Sequence, residues 1–137
     1  MTAKEYLNRA YRLNDKIESN LRQLEALEAK ATNVTVNFNP KVQGGTGNGV
    51  EQIIFKILAL KEKIRAETER YIDTLDEIRS TIDKVKDPDE NLLLTLRYIE
   101  FMKWEEIMEK MNFSRPQVFR IYNNALKSIV IPKDDTK

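Results

Sequence analysis

Residues 104–129 read WEEIMEKMNFSRPQVFRIYNNALKSI, and this order of helix, stop and capped restart decides the architecture. Trp104, Ile107 and Met111 fall at three- and four-residue spacing, which predicts a short helix over Trp104–Lys110. Met111-Asn112-Phe113 then reads as a tight turn, because Asn tolerates left-handed backbone that most residues avoid. Ser114-Arg115-Pro116-Gln117 has the composition of a capping box, with a hydroxyl at the cap, Gln three residues on and Pro in the first turn, where it is allowed. The helix opened there runs to about Ile129, with Pro132 as its stop. Short helix, three-residue turn and capped helix is the layout of a helix-turn-helix.

The last helix has two chemically distinct faces. Val118, Ile121, Tyr122, Ala125 and Ile129 form an apolar stripe, and the opposite face carries Arg120, Asn123, Asn124 and Lys127, with Gln117 at its edge. Arg115 sits at the N-terminus, within reach of a phosphate. Such donor-rich side chains read base edges and grip phosphates in a major groove. No acid occurs between Glu109 and Asp134, whereas Arg115, Arg120, Lys127 and Lys133 are all basic. Glu100, Glu105, Glu106 and Glu109 lie just upstream and mask this patch in the whole-chain charge.

Working toward the N-terminus, Leu93, Leu96, Ile99 and Phe101-Met102 predict an apolar helix of about three turns. Asp89 is its expected cap, after a stop at Asp87-Pro88. From Val50 to about Lys86, Val50, Ile57, Ile64, Tyr71, Ile78 and Val85 recur every seventh residue, with Ile54, Leu75 and Ile82 beside them. That pattern predicts one helix roughly 55 Å long at 1.5 Å per residue. Ala10, Leu13, Ile17, Leu21, Leu24 and Ala31 predict a shorter helix over 3–31, about 43 Å long. Between them, residues 32–49 hold all four glycines and read as a flexible connection, with Val34, Val36 and Phe38 suggesting a short strand. This stretch lacks the Gly-Lys-Ser/Thr ending of a phosphate-binding loop.

The expected fold is therefore all-α. A long antiparallel helical (coiled-coil) hairpin over 1–86 precedes a three-helix helix-turn-helix module over 87–137. The longer helix leaves part of its stripe to be covered by the C-terminal segment or by a second subunit, which makes a homo-oligomer, a dimer through the N-terminal helices, an expected state.

Composition narrows the function. The 137-residue chain has no Cys and no His, which removes thiolate chemistry, Cys-based zinc sites and the commonest general base. Adjacent carboxylates such as Glu105 and Glu106 face different directions on a helix and make a poor acid–base pair. An enzyme, a metal site and a cofactor are not expected. Lys+Arg at 23 against Asp+Glu at 22 leaves overall charge uninformative, so the argument rests on the local patch. No stretch approaches the about 20 apolar residues of a membrane span, and the N-terminus lacks a signal peptide's apolar core; a cytoplasmic protein without a membrane partner is expected.

Leu96-Arg97-Tyr98, Trp104-Glu105-Glu106-Ile107, Ser114, Val118, Ile121 and Ala125-Leu126 resemble region 4 of bacterial sigma factors. The whole chain, including Ala3-Lys4-Glu5-Tyr6-Leu7 and Tyr11-Arg12-Leu13, looks like a family of small prophage-encoded proteins of Gram-positive hosts. In layout these are similar to the ArpU and RinA type of phage late transcriptional regulators. The resemblance implies transcriptional control through duplex DNA, host RNA polymerase or both, with Arg115, Pro116, Phe119 and Arg120 as leading promoter contacts. Sigma factors usually have an acid where Pro116 stands, a base at Phe119 and often Gln at Arg120, so the housekeeping −35 element is not the implied site. Asn112 replaces the usual turn Gly, Lys103 a capping hydroxyl and Met108 a small Ala. Phe119 either meets a thymine methyl or packs against the hairpin. No cluster of aromatics that would hold unstacked bases is present, so a stand-alone sigma factor is not implied.

The expected DNA-binding set is Ser114, Arg115, Pro116, Gln117, Phe119, Arg120, Asn123, Asn124 and Lys127. Two other classes remain open: an adaptor that binds RNA polymerase or a phage protein without reading DNA, and a packaging protein of the small-terminase kind.

Overall fold

Thr2 opens the first helix. Its Oγ1 accepts from the Glu5 N–H at 3.1 Å, and Glu5 Oε1 accepts from the Thr2 N–H at 2.8 Å, a closed capping box. These bonds to Thr2 hold the Glu5 carboxyl below its usual range. The computed structural model describes residues 1–36 and 43–132. The elements are α1 (Ala3–Leu7), α2 (Arg9–Val36), α3 (Gln43–Asp83), α4 (Pro88–Tyr98), α5 (Trp104–Met111) and α6 (Arg115–Ser128). Among the described residues there is no strand.

Several boundaries differ from the expectation. The single helix over 3–31 is broken at Asn8 and continues to Val36. Val34 and Val36 are therefore helical rather than extended, and Phe38 lies outside the described residues. Residues 32–36 and 43–49 of the expected connection belong to helices, because extending an existing helix adds one bond per residue without a new nucleus. At its other end α3 stops at Asp83, short of Lys86. Asn91 caps it from the next helix, its Nδ2 donating to the carbonyls of Ile82 at 3.0 Å and Val85 at 3.1 Å. The cap of α4 is Asp87 and not Asp89. Asp87 Oδ1 accepts from the N–H groups of Asp89 and Glu90, and Pro88 takes the first helical position, where its missing N–H costs nothing. Phe101 and Met102 lie beyond α4, which ends at Tyr98.

The chain divides into two compact units, residues 13–70 and residues 1–12 with 71–137. In the first, Lys16 and Asn20 of α2 meet Glu67 of α3, and Glu28 meets Lys61. Numbers fall on one helix as they rise on the other, so these stretches run antiparallel. Two helices alone enclose little. Among the described residues of this unit only Ile17 and Asn20 are buried, while the heptad residues Val50, Ile57 and Ile64 are half-buried.

The second unit holds the hydrophobic core and draws on both expected segments. Tyr6, Leu7 and Ala10 are buried together with Ile78, Ile82 and Val85 from the heptad series, and with Leu93, Leu94, Leu96, Tyr98, Ile107, Val118, Tyr122, Ala125 and Ile129. The end of the heptad stripe is thus covered by the C-terminal segment. The Tyr6 hydroxyl donates to Glu77 at 3.0 Å and lies 3.0 Å from Thr81 Oγ1, while Arg9 stacks over the Tyr6 ring and pairs with Glu77.

Deep in this core the Tyr98 and Tyr122 hydroxyls share a hydrogen bond of 2.6 Å. Burial, then the Tyr122 hydroxyl, pushes Tyr98 far above the usual tyrosine range, so Tyr98 stays neutral at any ordinary pH. Tyr98→Phe is expected to cost about 1–3 kcal/mol, because it strands the buried Tyr122 hydroxyl, whereas Tyr98→Phe with Tyr122→Phe costs less than either single change. Urea unfolding of the three variants checks this; strictly additive losses would contradict it.

Candidate nucleic-acid interface

The turn between α5 and α6 is built by one residue. Asn112 sits at φ 59°, ψ 44°, the left-handed conformation its sequence position suggested. Its N–H donates to Glu109 O at 3.3 Å, and the Phe113 N–H donates to Met108 O at 3.1 Å. This pair of bonds satisfies two carbonyls at the end of α5 and reverses the chain. Asn112→Val is expected to destabilise by about 1–2 kcal/mol, since a β-branched residue resists this conformation, and Asn112→Gly to match or exceed the parent in thermal unfolding. Equal stability of the Val variant would remove the turn from the account.

At the start of α6 the Ser114 N–H and Oγ both donate to Gln117 Oε1, at 3.1 and 3.2 Å. Gln117 thereby serves the helix start, and its amide nitrogen is the part left to meet a ligand. At α5 the corresponding cap is Lys103, which has no acceptor; only its backbone N–H is served, by Glu106 Oε1 at 3.0 Å. Buried Val118, Tyr122, Ala125 and Ile129 fix the inner face of α6, and Ile121 is half-buried beside them. Ser114, Arg115, Pro116, Gln117, Arg120, Asn123, Asn124 and Lys127 are all exposed, on the helix start and the outer face. Eight of the nine expected contact residues are thus accessible from solvent.

Phe119 is the exception. It is half-buried, with its ring 4.7 Å from Trp104 and 6.3 Å from Tyr122 between centroids. Packing was one of the two roles open to it, but its partners are α5 and its own helix rather than the N-terminal hairpin. Its remaining face carries Arg115, whose guanidinium carbon lies 5.5 Å from the ring centre. The same guanidinium lies 4.0 Å from Glu105, an exposed pair worth little. Arg115 is therefore steered toward the α5–α6 edge by two weak contacts that a phosphate can displace.

Beside this edge lies a hollow of about 290 Å³ that the sequence did not single out. Asn8, Tyr11, Arg97, Tyr98, Phe101 and Lys103 line it. Arg97 stacks 4.5 Å over Trp104 and donates to Met102 O at 2.9 Å, so its head is held in place. Phe101 adopts φ 58° and meets Tyr11 edge-on at 5.4 Å. For a bulky residue that backbone costs on the order of 1–2 kcal/mol. Tyr11, Arg97, Tyr98, Phe101 and Lys103 each carry a separate sequence signal, but none joins them, since Asn8 and Tyr11 lie far from the others along the chain.

Among the described residues no group of His, Cys, Asp and Glu is arranged to hold a metal ion, and no helix is long and apolar enough to cross a membrane.

The core of α4, α5 and α6, with an exposed carboxylate-free face on α6, defines an all-helical protein with a polar, basic candidate surface. The chain belongs to the family described as protein of unknown function, DUF1492, whose pattern it matches over residues 30–130. No curated protein matches it, and no solved structure does either.

Proposed function

We propose that this protein is a phage-type transcriptional regulator that binds duplex DNA, with α5, the Asn112 turn and α6 acting as a helix-turn-helix. The single observation that carries this reading is the outer face of α6. It presents Arg120, Asn123, Asn124 and Lys127, with Arg115 and Gln117 at its start, and α6 itself contributes no carboxylate, the Glu105 carboxylate beside Arg115 coming from α5, while its inner face is locked into the core. In this role α6 enters the major groove, where Arg is suited to guanine and Asn to adenine. Arg115 and Lys127 grip phosphates at the two ends of the helix. The antiparallel pairing of α2 and α3 forms a helical hairpin that serves assembly, and the sigma-like layout of the C-terminal end makes host RNA polymerase the natural second partner.

A second reading draws on the exposed carboxylates of Glu105, Glu106 and Glu109 on α5. These repel a phosphate backbone at close range and suit an adaptor that binds RNA polymerase or a phage protein through the same module. Selection of bound duplexes from a randomised pool separates the two. An enriched motif supports the DNA reader, and its loss in Arg120→Ala assigns the base contact. No enrichment, with retained binding to purified polymerase, supports the adaptor.

A further inference from the structure

We propose that the hollow lined by Asn8, Tyr11, Arg97, Tyr98, Phe101 and Lys103 binds a free nucleoside monophosphate. The inference is independent of any DNA reading, because no side chain of α6 lines the hollow. All six residues belong to the unit that joins residues 1–12 with 71–137, so the site lies within one compact body. At about 290 Å³ it stands at the lower end of small-molecule sites, roughly 300–1,000 Å³, which suits one mononucleotide.

The polar groups of the wall are spare. The Asn8 amide, the Tyr11 hydroxyl and the Lys103 ammonium make no hydrogen bond or ion pair among the described residues. Arg97 gives one guanidinium donor to Met102 O at 2.9 Å and keeps the others. Arg9, Lys16, Lys61, Arg65 and Arg115 each pair with a carboxylate, whereas Arg97 and Lys103 have no such partner among the described residues. None of the six lining residues is acidic. Two cations therefore border the hollow without a counter-charge, an arrangement that suits a phosphate held by the Arg fork and the Lys point charge.

The remaining groups select a nucleotide over a bare anion. Tyr11 and Phe101 meet edge-on and Tyr11 stays 46% exposed, so aromatic surface is left on which a flat base can stack. The Asn8 amide offers a donor and an acceptor side by side, the pairing that reads a base edge. Both rims are also sites of irregular backbone. Asn8 stands at the break between α1 and α2, and Phe101 adopts φ 58° just past α4. Strain at a bulky residue persists only where its surroundings over-determine it, and such residues cluster at ligand sites. Here the Met102 N–H donates to Leu96 O at 2.9 Å and the Met102 carbonyl accepts from Arg97, which fixes the residue after Phe101 on both sides. The wall is thus held in place before a ligand arrives, and binding costs less ordering.

Calorimetric titration of the full chain, without DNA, with adenosine, guanosine, cytidine and uridine monophosphates is expected to give one site with a Kd below about 1 mM for at least one of them. Inorganic phosphate and the matching nucleoside, each lacking half of the ligand, should bind about tenfold more weakly or worse. Trp104 is the single tryptophan and lies under Arg97, so its fluorescence should change with the same midpoint. Asn8→Ala and Lys103→Ala remove side-chain groups without bonding partners among the described residues. Each should leave thermal unfolding unchanged and weaken binding by about fivefold or more. Lys110→Ala, exposed near the far end of α5, should change nothing. No binding at about 1 mM, phosphate binding as tightly as the nucleotide, or parent affinity in both the Asn8 and Lys103 variants overturns the proposal. Excess random-sequence duplex should leave nucleotide affinity unaltered; displacement would assign the hollow to a backbone phosphate and overturn the free nucleotide as its ligand.

Discussion

Leu7→Ala is expected to lower the unfolding free energy by about 2–5 kcal/mol, a cost typical of a fully buried leucine. Leu7 lies on a helix of five residues near the N-terminus, a place where substitutions usually do little. Here its side chain has no solvent exposure and sits in the same core as Leu93, Leu96 and Val118. α1 contacts α6, so the cavity left by the truncation opens beneath the proposed recognition helix. Urea denaturation followed by circular dichroism measures the loss, and a change below about 0.5 kcal/mol would mean that the N-terminal residues do not complete that core. Tyr11→Ala is the useful contrast: Tyr11 is partly exposed and meets only Phe101 edge-on among the ring contacts, so a smaller loss is expected.

Arg120→Ala is expected to leave stability nearly unchanged, because the side chain is exposed on α6. Its effect should appear in DNA binding, as a loss of about 1–3 kcal/mol on the selected site with relaxed preference at one base pair. That is roughly five- to 150-fold in Kd. Lys127→Ala should weaken binding to all duplexes alike and reduce the salt slope by about one. Electrophoretic mobility shift at several salt concentrations distinguishes the two behaviours. Identical salt slopes and identical sequence preference in both variants would remove α6 as the reading element. Phe119→Ala is not an equivalent probe. Its ring packs on Trp104 and Tyr122, so its loss loosens α5 against α6 before any contact is tested.

These two experiments fall on opposite sides of what the chain's order of residues reveals. Arg120 was accessible to reasoning from sequence because the amphipathic period of α6 is local: once Val118, Tyr122 and Ala125 turn inward, Arg120, Asn123, Asn124 and Lys127 must turn out. The start of that helix was legible for the same reason, since Ser114, Pro116 and Gln117 act within one turn of each other. The Asn112 turn likewise depends on a single residue's backbone preference. Helix ends were less legible. Asp87 and Asp89 are both able to cap α4, and the position of Pro88 at the first helical residue settles the choice. Val34 and Val36 alternate like a strand yet continue α2, because propagation of an existing helix outweighs the β preference of two residues.

By itself, then, the sequence determined the helical class, the turn at Asn112, the cap at Ser114 and the composition of the α6 face, all set by interactions within a few residues. Tertiary structure alone decided that Tyr6, Leu7 and Ala10 join the core of α4, α5 and α6. It also decided that the buried Tyr98 and Tyr122 hydroxyls hydrogen-bond to each other, and that Arg97 is pinned between Trp104 and the Met102 carbonyl. Each of these joins residues well separated along the chain or depends on how a ring is packed. Periodicity says which residues turn inward; only packing in three dimensions says which other residues they meet there.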